Sequence, residues 1–165
     1  MSITRAFCSL VLALLAGLAY AQTAPYKGVG GQIEAFGRVM GTYFAALAFI
    51  EVCSEDQRYK RESEDTARNY LNTNHGIFTD LRRRLDAAAL QNGGEVEKRR
   101  LDSEIREALP SMQQEAKVVA RKQVVSSASC ASILANLRSG MMDLKTQRSR
   151  EISLLSKYLR YHFWA

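Results

Sequence analysis

The sequence predicts an all-α fold: a bundle of four to six helices with one disulfide, preceded by a cleaved signal peptide. Three observations lead to this prediction. Apolar residues recur at steps of three and four positions through most of the chain, which is the period of a helix. No stretch alternates apolar and polar residues over the length of a strand. Two cysteines, Cys53 and Cys130, follow the predicted cleavage point, and two cysteines in an oxidising compartment most simply pair.

Residues 1–21 have the pattern of a secretory signal peptide. Arg5 supplies the positive charge of the first region, residues 6–19 form an apolar run, and Ala19 and Ala21 mark a small-x-small cleavage site. Nothing later in the chain has the pattern that stops transfer, so we expect no transmembrane segment after cleavage. The predicted location is therefore the periplasm or the secreted medium.

Residues 22–30 hold a proline and two glycines and are expected to form a flexible leader before a single helical domain at 31–165. The first helix of that domain, predicted at 31–53, is its most apolar segment. One stripe at helical spacing contains Ile33, Phe36, Met40, Tyr43, Phe44, Leu47 and Ile50. Further apolar residues lie off the stripe, which predicts a central position with neighbours on several sides.

An alternative interpretation of this first helix is a membrane span, because Gly37 and Gly41 match the Gly-x-x-x-Gly motif of paired membrane helices. The uncharged run between Arg38 and Glu51 has only 12 residues, however. A span needs roughly 20. We therefore predict a buried core helix.

Ser54 is a candidate N-cap for a highly charged helix that starts at residue 55. Residues 72–76, Asn-Thr-Asn-His-Gly, predict a break or a kink. An apolar stripe then resumes at Ile77 and stops at 92–94, Asn-Gly-Gly, which is the strongest turn pattern in the chain.

Residues 95–125 predict a long helix whose apolar stripe continues through Pro110. A proline inside a helix removes a hydrogen bond and costs about 3 kcal/mol. We expect a kink at 106–110 or, alternatively, two helices with a break there. The continuous phase of the stripe favours the kink.

The serine-rich run at 126–129 predicts a turn with an N-cap, followed by a short helix at 131–139 that Gly140 terminates. A last helix is predicted at 141–163, with one apolar side containing Leu144, Ile152, Leu155, Leu159 and Phe163. The disulfide would join the end of the first helix to the start of the helix after the serines.

The formal net charge is +6, and 13 of the 17 acidic residues lie between 51 and 107. Two basic triplets, at 82–84 and 98–100, resemble nucleic-acid-binding patches. Successive helical residues point about 100° apart, however, and most of these cations have an acid one turn away. We therefore interpret the triplets as solvated ion pairs and predict no nucleic-acid partner.

The C-terminal part of the chain carries a basic surplus. Residues 116–165 contain nine basic residues and two acidic ones, and the last eight residues contain four aromatic side chains. Aromatic residues together with arginine are typical of interaction hot spots, although they would equally suit a helix end packed on its own core. The candidate partner-binding residues are Arg148, Lys157, Tyr158, Arg160, Tyr161, Phe163 and Trp164. The expected partner is a protein or an anionic envelope component.

Motifs for catalysis or cofactor binding are absent from the sequence. His75 and His162 fit no metal-binding motif, and the chain has no CxxC pair, phosphate loop or nucleophile elbow. We predict no catalytic residues, no metal and no cofactor. The leading hypothesis is a non-enzymatic exported protein that binds a macromolecule through its C-terminal helix. The alternatives are a periplasmic stress chaperone or structural envelope protein, and a small-ligand carrier or enzyme without a recognisable motif.

Overall fold

The computed structural model describes the chain from residue 28 to residue 158, and its side chains from 31 to 157 except that of Ser127. Five helices and no strand occur in this range: α1 Gly28–Ser54, α2 Lys60–Gln123, α3 Ser127–Arg138, α4 Leu144–Gln147 and α5 Ser149–Tyr158. The prediction of an all-α fold is confirmed for these residues. The predicted signal peptide, leader residues 22–27 and residues 159–165 lie outside the described part.

Helix α2 is a hairpin of two arms. Gly94 has φ 63° and ψ −156°, a backbone conformation that is open to glycine and not helical, and it separates a first arm at 60–93 from a second arm at 95–123. An ion pair between Arg82 and Asp102 joins the two arms. The turn predicted at 92–94 is therefore confirmed.

Helix α1 packs against both arms. The first arm is antiparallel to α1, because Phe36 contacts Phe78 whereas Tyr43 contacts Tyr70. The second arm is parallel to α1: it passes Gly41 near Met112 and then places Ala120 in a cluster with Ala48 and Val52. The apolar side chains of α1 dominate the core, as predicted from their wide distribution around the helix.

One described helical segment, Gly31–Ser54, is long and apolar enough to cross a membrane by length and composition, with a mean hydropathy of 1.3. A core helix of a globular protein passes the same test. In this structure 56% of its most apolar stretch is buried inside the protein, which is consistent with the predicted core helix.

The disulfide joins Cys53, in the last turn of α1, to Cys130, in the first turn of α3, with the two Cα atoms 5.5 Å apart. Both residues are buried. This pairing confirms the predicted link. After the disulfide, the chain continues through α3, α4 and α5 back along α1 and the first arm. Arg138 at the end of α3 pairs with Glu62 of the first arm, and Arg148 donates a hydrogen bond to Thr42 of α1.

The predicted break at 72–76 is wrong, since the first arm is helical throughout this segment. The reason is a tertiary role for Asn74, which is fully buried. Its amide nitrogen donates to the Tyr70 carbonyl and to the Asp143 carboxylate, and its amide oxygen accepts from the Leu144 backbone N–H at 2.8 Å. These hydrogen bonds hold the start of α4 against the first arm.

Two other helix ends differ from the predictions. Ser54 is the last residue of α1, where its hydroxyl donates to the Glu51 carbonyl, and α2 begins at Lys60 without a side-chain cap. At Pro110 the helix keeps helical dihedral angles, so the alternative of two separate helices is wrong. The predicted cap at the serine run is confirmed, because the Ser126 hydroxyl accepts from the Ser129 N–H.

The predicted single helix at 141–163 is divided in the structure. Gly140, with φ 77°, follows the end of α3, and helical structure resumes only at Leu144. Arg148 then leaves the helical conformation and separates α4 from α5. At this break the Arg148 side chain lies against α1, which changes the surface that the last helices present.

Candidate functional site

The described part of the predicted binding region is the outer side of α4 and α5. Lys145 on α4 and Arg150 and Lys157 on α5 are exposed. We call these three residues the C-terminal basic surface. The opposite side of α5 faces the core through Glu151 and Leu155, which are 3% exposed. Helical spacing sets this division, because Arg150 and Lys157 are seven residues apart and share one side.

Arg148 does not belong to this surface. Its side chain is only 8% exposed, its Nε donates to the Thr42 hydroxyl at 2.7 Å, and its Nη1 lies 3.8 Å from the Glu151 carboxylate. A buried guanidinium needs such partners because desolvation penalises an isolated charge. Arg148 is therefore inaccessible to a partner in this structure, in contrast to the role predicted for it.

The buried Arg148–Glu151 pair has a consequence for the surface charge. Glu151 is the only acidic side chain between residues 144 and 165. The structure places that carboxylate inside, 4% exposed, beside a guanidinium. The ionised side chains that α4 and α5 expose to solvent are therefore all cationic.

The remaining candidate partner-binding residues divide into two groups. Lys157 is exposed in the last turn of α5, and Tyr158 is the final residue of that helix. Arg160, Tyr161, Phe163 and Trp164 lie outside the described residues, so their role stays a prediction.

In a second basic stretch, between residues 117 and 138, three of the four cations pair with acids from 51–62. Lys117 pairs with Glu51 at 2.9 Å, Arg121 with Glu55 at 2.8 Å and Arg138 with Glu62 at 2.6 Å. The hydrogen bond to Glu55 raises the pKa of Arg121. Arg138 belongs to the basic surplus of residues 116–165, and the structure pairs it with an acid across the fold. Arg121 and Glu55 lie 66 residues apart in the chain, so no local pattern indicates this pairing.

Five of the six cations in the two basic triplets pair with carboxylates, in agreement with the prediction that most of them would. Arg82 contacts Asp86 and Asp102, Lys98 contacts Asp102, and Arg100 contacts Glu97 and Glu104. Hydrogen bonds from Arg84 and Arg83 lower the pKa of Asp80. A hydrogen bond from Arg100 likewise lowers the pKa of Glu97. These cations are engaged with neighbouring carboxylates, which argues against a phosphate-binding role.

The nearest approach to a catalytic arrangement among the described residues is the contact between Tyr43 and His75. The Tyr43 hydroxyl lies 3.1 Å from His75 Nδ1, and the Tyr43 ring stacks on Phe78 with centroids 4.6 Å apart. Burial raises the pKa of Tyr43. Because a phenol with a raised pKa is a poor acid near neutral pH, this contact is best explained as packing. His75, predicted as a turn residue, instead lies within the first arm.

A shallow, open depression lies where the first arm meets the end of α3. Its lining contains Thr66, Asn69, Tyr70, Thr73, Leu137, Arg138, Gly140 and Asp143. The Tyr70 hydroxyl is buried without a hydrogen-bond partner, and burial raises its pKa. A neutral phenol beside one carboxylate is a weak set of groups for catalysis. Among the described residues no three His, Cys, Asp or Glu side chains are placed to hold a metal ion.

No protein-family model, curated protein or solved structure matches this chain. What its surfaces do is therefore argued from its own residues.

Proposed function

We propose that this chain is an exported, non-enzymatic helical protein that binds a macromolecular partner or an envelope component through its basic, aromatic C-terminal helix. The observation that carries this proposal is the charge arrangement of α4 and α5. The only acid of the last 22 residues is buried against Arg148, while Lys145, Arg150 and Lys157 point outward. A surface with one sign of charge attracts partners of the opposite sign.

The aromatic residues that follow α5 add to this proposal. Tyr158, Tyr161, Phe163 and Trp164 lie within seven positions, interleaved with Arg160. Aromatic and arginine side chains supply large contact areas with little loss of conformational entropy, which is why they recur at hot spots. Cations that steer a partner and aromatics that anchor it are thus next to each other in the chain.

Export is supported by the pattern of residues 1–21 and by the Cys53–Cys130 disulfide. Structural disulfides persist in oxidising compartments and are rare in the cytosol. We propose the periplasm or the secreted medium as the location.

A binding role accounts for the described residues better than catalysis does. A general acid or base needs a pKa near the working pH and a position next to a reacting group. Burial instead moves the pKa of Tyr43 and of Tyr70 further above neutrality. The shifted carboxylates Asp80 and Glu97 are held ionised by arginines at the protein surface. No pair of groups with opposed pKa shifts meets in a cleft in this part of the chain.

A crosslinking pulldown from the native envelope tests the proposal. The bait is the whole exported protein, compared with a chain that ends before Lys157 and with the double substitution Lys145→Glu and Lys157→Glu. The matched control is Lys60→Glu with Lys122→Glu, which reverses two other exposed lysines and gives the same net charge. We expect partners to be lost with the first two proteins and kept with the control. Retention of every partner by the truncated chain would overturn the proposal.

A second candidate function, an acid-activated chaperone, is favoured by the three ion pairs at the disulfide end. Glu51, Glu55 and Glu62 connect the first part of the chain to the helices that cover α1. Loss of these pairs would make the apolar side chains of α1 available to unfolded clients. Exposed pairs contribute only about 0.2–1 kcal/mol each, so this candidate ranks second. No gain in ANS fluorescence and no protection of client proteins at pH 3 would eliminate it.

A further inference from the structure

We infer that the partner of the C-terminal basic surface is the headgroup region of an anionic lipid bilayer, with α4 and α5 lying along the membrane plane. This inference rests on the proposed function and names the chemistry of the partner.

The first argument is the arrangement of the cations. Arg150 and Lys157 share one side of α5 and are separated by two helical turns, roughly 10 Å along the axis. Lys145 precedes them on α4. Cationic side chains along the exposed side of two consecutive helices, whose one acidic side chain is buried, match an extended negative surface. A bilayer that contains anionic lipids provides such a surface, and its attraction increases with each lysine or arginine near it.

The second argument distinguishes a membrane from a protein partner. Large apolar side chains are exposed at several places in the described chain, but none of them lies on α4 or α5 between 144 and 157. The cores of protein interfaces are apolar and depleted in lysine. This surface instead presents two lysines and an arginine together with the small polar residues Ser149 and Ser153. The exposed side of α4 and α5 therefore has a composition that suits charged headgroups better than the core of a protein interface.

The third argument comes from the sequence beyond α5. The aromatics at 158–164 include tyrosine and tryptophan, whose amphipathic rings concentrate at the level of lipid headgroups. Peripheral membrane segments combine basic residues on their polar side with aromatic residues that enter the membrane interface. The aromatic residues therefore follow the cationic surface directly in the sequence.

Trp164 makes a direct experiment possible, because it is the only tryptophan in the chain. The exported protein is mixed with vesicles of phosphatidylcholine, or of phosphatidylcholine and phosphatidylglycerol in equal parts. Tryptophan emission and co-sedimentation are both measured. We expect a blue shift of the emission and co-sedimentation with the anionic vesicles only. Both effects should weaken in high salt, since exposed charges are then screened.

Two pairs of variants locate the effect. Lys145→Gln with Lys157→Gln should weaken partitioning by about fivefold per lysine, or about 25-fold together. The matched control, Lys60→Gln with Lys122→Gln, removes the same charge from exposed positions outside α4 and α5 and should change partitioning less than threefold. Tyr161→Ser with Phe163→Ser keeps Trp164 as the reporter and should remove the blue shift.

The outcomes separate this inference from the proposed function. Unchanged emission with anionic vesicles, or equal losses in the test and control pairs, would overturn the membrane assignment. If the lysine variants at the same time lost a crosslinked protein, the proposed binding role would stand with an acidic protein as partner. If neither vesicles nor proteins were bound through α4 and α5, both proposals would fail.

Discussion

Two stretches of the chain look equally basic in the sequence and differ completely in the structure. Between 117 and 138, three cations reach carboxylates at Glu51, Glu55 and Glu62 and are neutralised across the fold. Between 145 and 157, the one acid, Glu151, turns inward together with Arg148, whereas Lys145, Arg150 and Lys157 are exposed. The net charge of a segment therefore does not indicate the charge that a partner meets.

The difference arises from where each stretch lies relative to the acidic segment. The disulfide holds the start of α3 against the end of α1, so the cations near it face the acids that end α1 and begin α2. Helices α4 and α5 lie further along, where the first arm contributes Asn74 and α1 contributes Thr42 instead of carboxylates. The first stretch stabilises the fold weakly, and the second keeps Lys145, Arg150 and Lys157 exposed.

The largest expected effect comes from removing the disulfide that holds the start of α3 against the end of α1. Cys53→Ala with Cys130→Ala opens a loop of 77 residues. The loop-entropy relation then gives a loss of roughly 4–5 kcal/mol in the free energy of unfolding. Urea unfolding followed by circular dichroism measures this loss. Typical total stabilities are about 5–15 kcal/mol, so the variant should be close to unfolding at 37 °C.

The control for this variant is the unsubstituted protein under reducing conditions, which should unfold at a similar urea concentration. A loss below about 1 kcal/mol in both proteins would contradict the expectation, because the crosslink would then restrict the unfolded chain little.

The second prediction concerns the buried Arg148–Glu151 pair, which leaves no exposed acidic side chain on α4 and α5. Glu151→Ala leaves the buried Arg148 guanidinium without its carboxylate and should destabilise the fold by about 3–5 kcal/mol. Replacing both residues, Arg148→Met with Glu151→Leu, removes both buried charges and should change stability little or increase it. Thermal unfolding of the two variants measures the contrast.

The same double variant examines whether Arg148 contacts a partner. Because the side chain is buried, vesicle binding and pulldown should be the same as for the unsubstituted protein. Weaker binding by a stably folded double variant would return Arg148 to the candidate binding residues.

Several parts of this fold are predictable from local patterns. The apolar residues of α1 lie on several sides of the helix, which predicts a core helix. Asn-Gly-Gly at 92–94 predicts the hairpin turn. The disulfide follows because only two cysteines remain after the predicted cleavage. In each case the decisive information lies within a few residues or in a simple count.

The predictions that the structure contradicts depend instead on contacts between residues that lie far apart in the chain. Asn74 remains in a helix because Leu144, 70 positions away, supplies its hydrogen-bond donor. Arg148 lies four residues from both Leu144 and Ile152, on the predicted apolar stripe, and its buried guanidinium is bound by Thr42, 106 positions away. The neutralised cations likewise find acids that only the folded chain brings near. Local periodicity does not identify these distant partners, and Arg148, a candidate binding residue, is buried in the structure.

The smallest expected effect compares the two basic stretches directly. Arg138→Glu places a second carboxylate beside Glu62, and since the ion pair is largely exposed, stability should fall by at most about 1 kcal/mol. Exchanging the charges, with Glu62→Arg added, should recover that loss, as a double-mutant cycle in urea would show. Binding to anionic vesicles should persist in both variants, whereas Lys157→Glu, which changes the net charge by the same amount as Arg138→Glu, should reduce it. Equal loss of binding for Arg138→Glu and Lys157→Glu would mean that the overall charge, and not the surface of α4 and α5, attracts the membrane.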